Sequence, residues 1–435
     1  MDTLITLAQN TLAADEIALS TAAQDTSNAA DPTFHAETAV LAPAVVGVDG
    51  LGVDGSPPPN GVTVTTVSRA TDEPATQGLL QALGDHAAAT GTENALAPLM
   101  AFFAAGATGG VQSTLQSLEA AWGAFQDAPT SMAAAQGVMG AAQQTVTAVN
   151  RLQTTLSQTA QALVAQLQGE GQQFGSLVGQ IAAAQAALPA LPAGSGAQAT
   201  AEDQIDALVQ QLAKLGGAVV YPSASGGRMV AAPDGGPLWV DGTEAPPASS
   251  AAVLTVVQSG TGPWYAASVS LQAGSIGWTP VTGDLAGTLA ALDAVDQWGA
   301  QLAALSRQLA STVPANASTT LFVATADGGL QMTPGLTGPA LSSAVAPSAA
   351  TALQSGLGAW GTLSAAVGAV GQQATATAAA TQTAVSGFQT ALQRATGVDP
   401  NQAATAVIQD QQAFQAAAQI LAVQQQTVQA LLQAV

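Results

Sequence analysis

Between Pro129 and Pro189 the chain contains no proline, and its large apolar residues recur every seven positions. Val149, Leu156 and Leu163 set the spacing, a four-residue step leads to Leu167, and Phe174, Ile181 and Leu188 continue it. A seven-residue apolar repeat with one stutter is the pattern of a long α-helix packed lengthwise on its neighbours. About 50 such residues would extend roughly 75 Å at 1.5 Å per residue, longer than a compact domain. Gly169, Gly171 and Gly175 flank the stutter and mark where a kink or break is expected. The spacing returns at Leu353, Trp360, Val367, Ala374, Thr381 and Phe388. Asp399-Pro400 interrupts it, and Val407, Phe414, Leu421, Val428 and Val435 form a third series. Two further long helices are expected from these, antiparallel where short turns join them.

The segments between the helices have a different texture. Val62–Val67 (VTVTTV) alternates as a strand does, and VVY at 219–221, MVAA at 229–232, LWV at 238–240, AVLTVV at 252–257 and WYAASVSL at 264–271 read as short strands. Asp234-Gly235-Gly236 and Asp241-Gly242 supply positive-φ positions for tight turns. A further hairpin is expected at 319–333, and the Val-rich segment at 43–68 could join the same sheet. The fold class expected is mainly α with β insertions: an elongated antiparallel bundle of long helices with a small β-rich head. Its divisions are an N-terminal helical segment (1–42), a Gly/Pro-rich β segment (43–75) and a long-helix bundle (76–216). They continue with the β-rich head (217–282), a return helix (283–313), a second hairpin (314–340) and the C-terminal long helices (341–435).

Composition removes several functions. Only 8% of the 435 residues are charged, and 27 Asp and Glu face 6 Lys and Arg, for a net charge of −21. Arg69, Arg151, Lys214, Arg228, Arg307 and Arg394 are far apart in sequence, so no basic stripe exists for a nucleic-acid backbone. The absence of cysteine removes disulfides, thiolate metal sites and thiol nucleophiles. Residues 50–55 fit GxGxxG, but SPPPNG follows where a phosphate-binding helix would begin, so a turn is the better reading. Asp49 and Asp54 lack the EF-hand spacing. His35 and His86 have no metal-ligand spacing, and the pairs Asp15-Glu16, Asp72-Glu73 and Glu202-Asp203 read as solvated or helix-capping carboxylates, the last ahead of a helix at Ile205. No catalytic residue, cofactor site or metal site is expected, and the chain reads as a non-enzyme. The first residues carry no basic n-region before Asp15-Glu16, so synthesis as a soluble protein without a cleaved signal peptide is expected.

Two asymmetries point to a surface that meets something. Residues 328–435 hold only Arg394, Asp399 and Asp410 among ionisable side chains, and the apolar stretch 95–111 carries none. Charge-poor helices are among the few soluble kinds that enter lipid cheaply. Trp239, Trp264, Trp278, Tyr221 and Tyr265 all fall within 216–283, and such residues serve membrane interfaces and binding hot spots as well as sheet cores.

Where the head returns to the helix stands Asp296-Gln297-Trp298-Gly299-Ala300-Gln301-Leu302, followed by Leu305 and Leu309. With the long helices, this resembles the α-helical pore-forming toxins: the cytolysin A, haemolysin BL and non-haemolytic enterotoxin group and their insecticidal relatives. The resemblance implies a protein that is soluble until it meets a target-cell membrane, inserts its head, and oligomerises into a ring of its own copies, with or without partner toxin subunits. Membrane or partner contact would then fall on 219–232 and 251–278, at Tyr221, Val230, Trp239, Val253, Val256, Trp264, Tyr265 and Trp278, with release to the exterior. The other reading is a non-lytic structural or adhesion protein, such as a phage, tail-tip or secretion-apparatus component, whose bundle is a stalk and whose β-rich head binds a partner.

Overall fold

The computed structural model describes residues 2–31, 33–45, 59–104, 110–222, 228–231, 240–241, 254–259, 263–266, 268–273 and 276–433. The GxGxxG match at 50–55 with Asp49 and Asp54, the Asp234 and Gly242 turn positions, Trp239, Val253 and Val435 lie outside these residues.

The protein is mainly α and elongated, with small β parts. The proline-free stretch forms a single helix, α4 (Met132–Ala187), of 56 residues, or about 84 Å at 1.5 Å per residue. Ser131 starts it by accepting a hydrogen bond from the Ala134 amide at 3.2 Å. Val149, Leu156, Leu163, Leu167, Phe174 and Ile181 are all buried, so the stutter keeps one seam facing the core. The three glycines do not interrupt the helix, and Gly171 and Gly175 are themselves buried.

Around α4 stand α2 (Glu73–Ala104), α3 (Val111–Asp127), α5 (Gly196–Gly216), α6 (Gly283–Thr312) and α7 (Ala346–Thr396). α3 and α4 pack together across a short connection, α4 packs on α5 and α6, and α2 lies against α6 and α7. One continuous apolar core runs through them, with Trp122, Trp298 and Phe322 among its fully buried side chains. Of the stretch 95–111, read as an additional inserting element, residues 105–109 lie outside the described residues. Most of the stretch is the last turns of α2, which stays helical through Pro98 and buries Leu96 and Leu99 in that core. Between α2 and α6 the backbones touch: a Cβ at Gly287 would lie 2.4 Å from the Ala88 carbonyl oxygen.

At the chain ends, α1 (Asp2–Asn28) packs on α8 (Pro400–Gln433) and on the hairpin of β1 (Glu37–Val45) and β2 (Pro59–Arg69). Asp72 caps α2 by accepting from the Ala75 amide at 2.9 Å. The remaining strands are β3 (Val219–Pro222), β4 (Arg228–Ala231), β5 (Val240–Asp241), β6 (Leu254–Ser259), β7 (Ser268–Ala273), β8 (Ile276–Trp278), β9 (Phe322–Ala324) and β10 (Leu330–Met332). They do not make the single sheet that the sequence suggested. Among the described residues four antiparallel sheets form instead, β1–β2, β3–β4–β5, β6–β7–β8 and β9–β10. The reason is that each covers a different support: β1–β2 lies on α1, β3 on α2, β6 on α4, and β9–β10 on α6 and α4.

Candidate assembly surface and polar joint

The structure separates the aromatic and aliphatic residues singled out in the β-rich segment. Val230 is fully buried, and Trp278 is nearly so, its ring 5.6 Å from that of Phe174 on α4. Trp264 and Tyr265 are half-buried and meet edge to face at 5.5 Å. Gly299 of α6 leaves them room, since a Cβ there would lie 2.5 Å from the Trp264 ring. Tyr221 is 46% exposed on β3. Val256 lies on β6, and Trp239 and Val253 are outside the described residues.

The motif that suggested a toxin has a local explanation. Trp298, Leu302, Leu305 and Leu309 are the buried stripe of α6, spaced at the three- and four-residue steps that put side chains on one helix face. Gly299 stands beside Trp298 because the indole of Trp264 occupies the space a side chain would need. Among the described residues no helix is long and apolar enough to cross a membrane.

Exposed apolar side chains occur elsewhere, on the terminal pair. Ile408, Ile420 and Val423 of α8 are each more than half exposed, and Ile17 of α1 is 41% exposed. Their contact is built of small residues: Ala8, Ala14, Ala22, Ala403 and Ala417 are buried there. Asp15 of α1 is raised above the usual carboxylate range by burial and then by Asp410 of α8. A cavity of about 540 Å³ opens between α1, β1 and the α7–α8 turn, lined by Thr21, Asp25, Glu37, Arg394, Asp399 and Asp410 among others.

The pair is tied to the bundle by a buried polar joint. Arg69, at the end of β2, donates through Nε to Asp203 Oδ1 at 2.6 Å and through Nη2 to Asp206 on α5. His35 Nδ1 lies 2.8 Å from Asp203 Oδ1 and 2.7 Å from Arg69 Nη2. Burial opposes the guanidinium charge, but Asp206 and Asp203 outweigh it and raise the Arg69 pKa. His35, Asp203 and Asp206 bring three ligand atoms together as a metal site would. Arg69 already bonds to both carboxylates, so the cation of this cluster is a side chain. Glu202-Asp203 is therefore not a helix start: α5 begins at Gly196, capped by Ser195, and Asp203 faces the joint from the start of its third turn. The sequence signal was available, because Asp203, Asp206, Val209 and Ala213 share one three-to-four-residue stripe and all are buried. The Ala36 amide closes the joint on the far side by donating to the Thr396 carbonyl at the end of α7, at 2.8 Å.

Long helices that share a continuous core, with small sheets laid over their sides, define an elongated helical building block. Residues 96–321, more than half of the chain, match the family model described as the flagellar hook-associated protein FlgK helical domain. The chain belongs to that family. The flagellar hook junction protein FlgK from Burkholderia pseudomallei is similar over 57% of this chain and 46% of its own, with 21% identity and a TM-score of 0.48. This chain therefore aligns with less than half the length of that protein. No curated protein matches it. Family membership overturns the resemblance to pore-forming toxins, and with it the target-cell membrane, the membrane-inserted ring and the partner toxin subunits. Heptad-spaced long helices pack by the same physics in both families, so that spacing could not separate them.

Proposed function

We propose that the chain is a non-catalytic structural subunit of the flagellar hook region, exported from the cytoplasm and held by contacts with other flagellar subunits. The match across residues 96–321 carries this reading, and it favours the structural alternative over lysis. The bundle serves as a rigid spacer, since its core is complete within the chain. The terminal pair α1–α8 serves as the assembly surface, because Ile17 of α1 and Ile408, Ile420 and Val423 of α8 leave apolar side chains exposed among the described residues. The β-rich segment offers a second partner contact at Tyr221, which is exposed, and at Trp264 and Tyr265, which are half-buried. Immunogold labelling in the cells that express the protein should place it at the hook, and purified protein should release no dye from liposomes. Diffuse labelling in flagellated cells, or dye release, would contradict the reading.

A further inference from the structure

The joint between the terminal pair and the bundle contains more negative charge than its arginine can neutralise. Glu37 is 95% buried at the start of β1, and neither of its carboxylate oxygens has a hydrogen-bond partner among the described residues. It sits opposite Arg69 in the β1–β2 register, yet the Arg69 hydrogen bonds go to Asp203, Asp206 and His35. Arg69 Nη1 is left without a hydrogen bond and lies 3.9 Å from Glu202. The Glu37 amide donates to both oxygens of Asp25, at 3.1 and 3.3 Å, which fixes that second buried carboxylate beside it. On the α5 side the Glu37 carboxyl is closed in by Gly196, where a Cβ would lie 3.4 Å from Oε2.

We infer that Glu37 is a proton-held latch: its neutral carboxyl closes α1 and the β1–β2 hairpin onto α5, and its ionisation loosens that joint. An ionised carboxylate buried without a hydrogen bond or a dedicated counter-charge is costly, and taking up a proton removes the cost. The groups facing it are Asp25 from α1, Asp203 with Glu202 and Asp206 from α5, Arg69 from β2, and His35 two residues ahead. Arg394, Asp399 and Asp410 border the adjoining cavity. Burial, then Asp25 and Asp203, push Glu37 up to about 7 against the pull of Arg69. Burial also raises Asp25 to about 6, with Asp203 adding to it, although the Glu37 amide bond opposes the rise. Calcium fits less well, because it takes six to eight oxygen ligands and Asp25 already accepts the Glu37 amide. The native pKa of Glu37 lies above its ordinary 4.5. Its stabilising contribution is therefore complete below that value and is lost as pH rises through about 7.

Amide hydrogen exchange of the full chain and of Glu37→Gln, at about pH 5 and about pH 8 and corrected for intrinsic rates, tests the latch. The wild type should lose about tenfold or more of its protection in β1 and the first half of α5, while Glu37→Gln loses little. Amides of the α4 seam should change equally in the two proteins. Equal wild-type protection at both pH values, or an equal loss in the variant, would overturn the inference. A wild-type NMR titration does not depend on the variant folding: the side-chain carboxyl carbon of Glu37 should titrate with a midpoint near 7, and a midpoint at an ordinary glutamate value would overturn the inference. Restoration of protection at about pH 8 by millimolar calcium, in the wild type alone, would assign the site to a bound cation instead.

Discussion

The α4 seam and the α8 series have the same seven-residue spacing and opposite fates. Along α4, six of the seven heptad positions from Val149 to Ile181 and Leu188 are buried, and the core they enter is built from helices and strands of the same chain. Along α8, Val407, Phe414 and Leu421 are only half-buried, while Ile408, Ile420 and Val423 lie open. Spacing states which residues share a helix face. It does not state whether the partner for that face lies within the chain. In this protein the body is self-sufficient, whereas the terminal pair rests on a narrow alanine contact, a hairpin and one charged cluster.

That contrast can be broken most severely at the cluster. Arg69→Ala removes the only cation bonded to Asp203 and Asp206 among the described residues and should cost about 3–5 kcal/mol in denaturant unfolding. Leu156→Ala, in the middle of the α4 seam with no exposed surface, should cost about 2–5 kcal/mol and lower the cooperativity of no other region. Gly287→Ala drives a methyl group into the Ala88 carbonyl, where backbone meets backbone and neither side yields, and should cost about 1–3 kcal/mol. Asp296→Asn concerns the body alone. Burial, and then Asp293, raise Asp296 to about 7, so the native state loses stability as pH rises from the ordinary aspartate value of 3.8 through that point. The variant should therefore be the more stable protein at about pH 8, by about 1 kcal/mol, with the difference vanishing in acid. Ile420→Ser on the open face of α8 should change unfolding by less than about 0.5 kcal/mol, although its apolar area rivals that of a core residue.

The long helices were legible because each obeys its own local period. Val149 through Ile181 announce α4 without reference to any other part of the chain, and the hairpin at Phe322–Ala324 and Leu330–Met332 is marked by its own Asp327-Gly328-Gly329 turn. The grouping of strands was not legible, since sequence shows that a strand exists and leaves open which helix it will cover. The polar joint was hidden for a similar reason. His35, Arg69 and Asp203 arrive from a loop, a strand and a helix, and only the place of Asp203 and Asp206 on the buried stripe of α5 betrays that charge must turn inward there. The reading of Trp298-Gly299 as a toxin feature shows the opposite hazard, because a packing requirement set by Trp264 produced a pattern that looked like a family mark.

The most direct test replaces the open face of the terminal pair and leaves the body alone. Ile408→Ser, Ile420→Ser and Val423→Ser would be combined, and the amount of protein incorporated at the hook measured against wild type in cells lacking the native copy. The expected result is a protein exported in normal amounts, with unchanged bundle stability, that fails to be retained at the hook. Incorporation at wild-type levels would contradict the assignment of α1–α8 as the surface by which this subunit assembles.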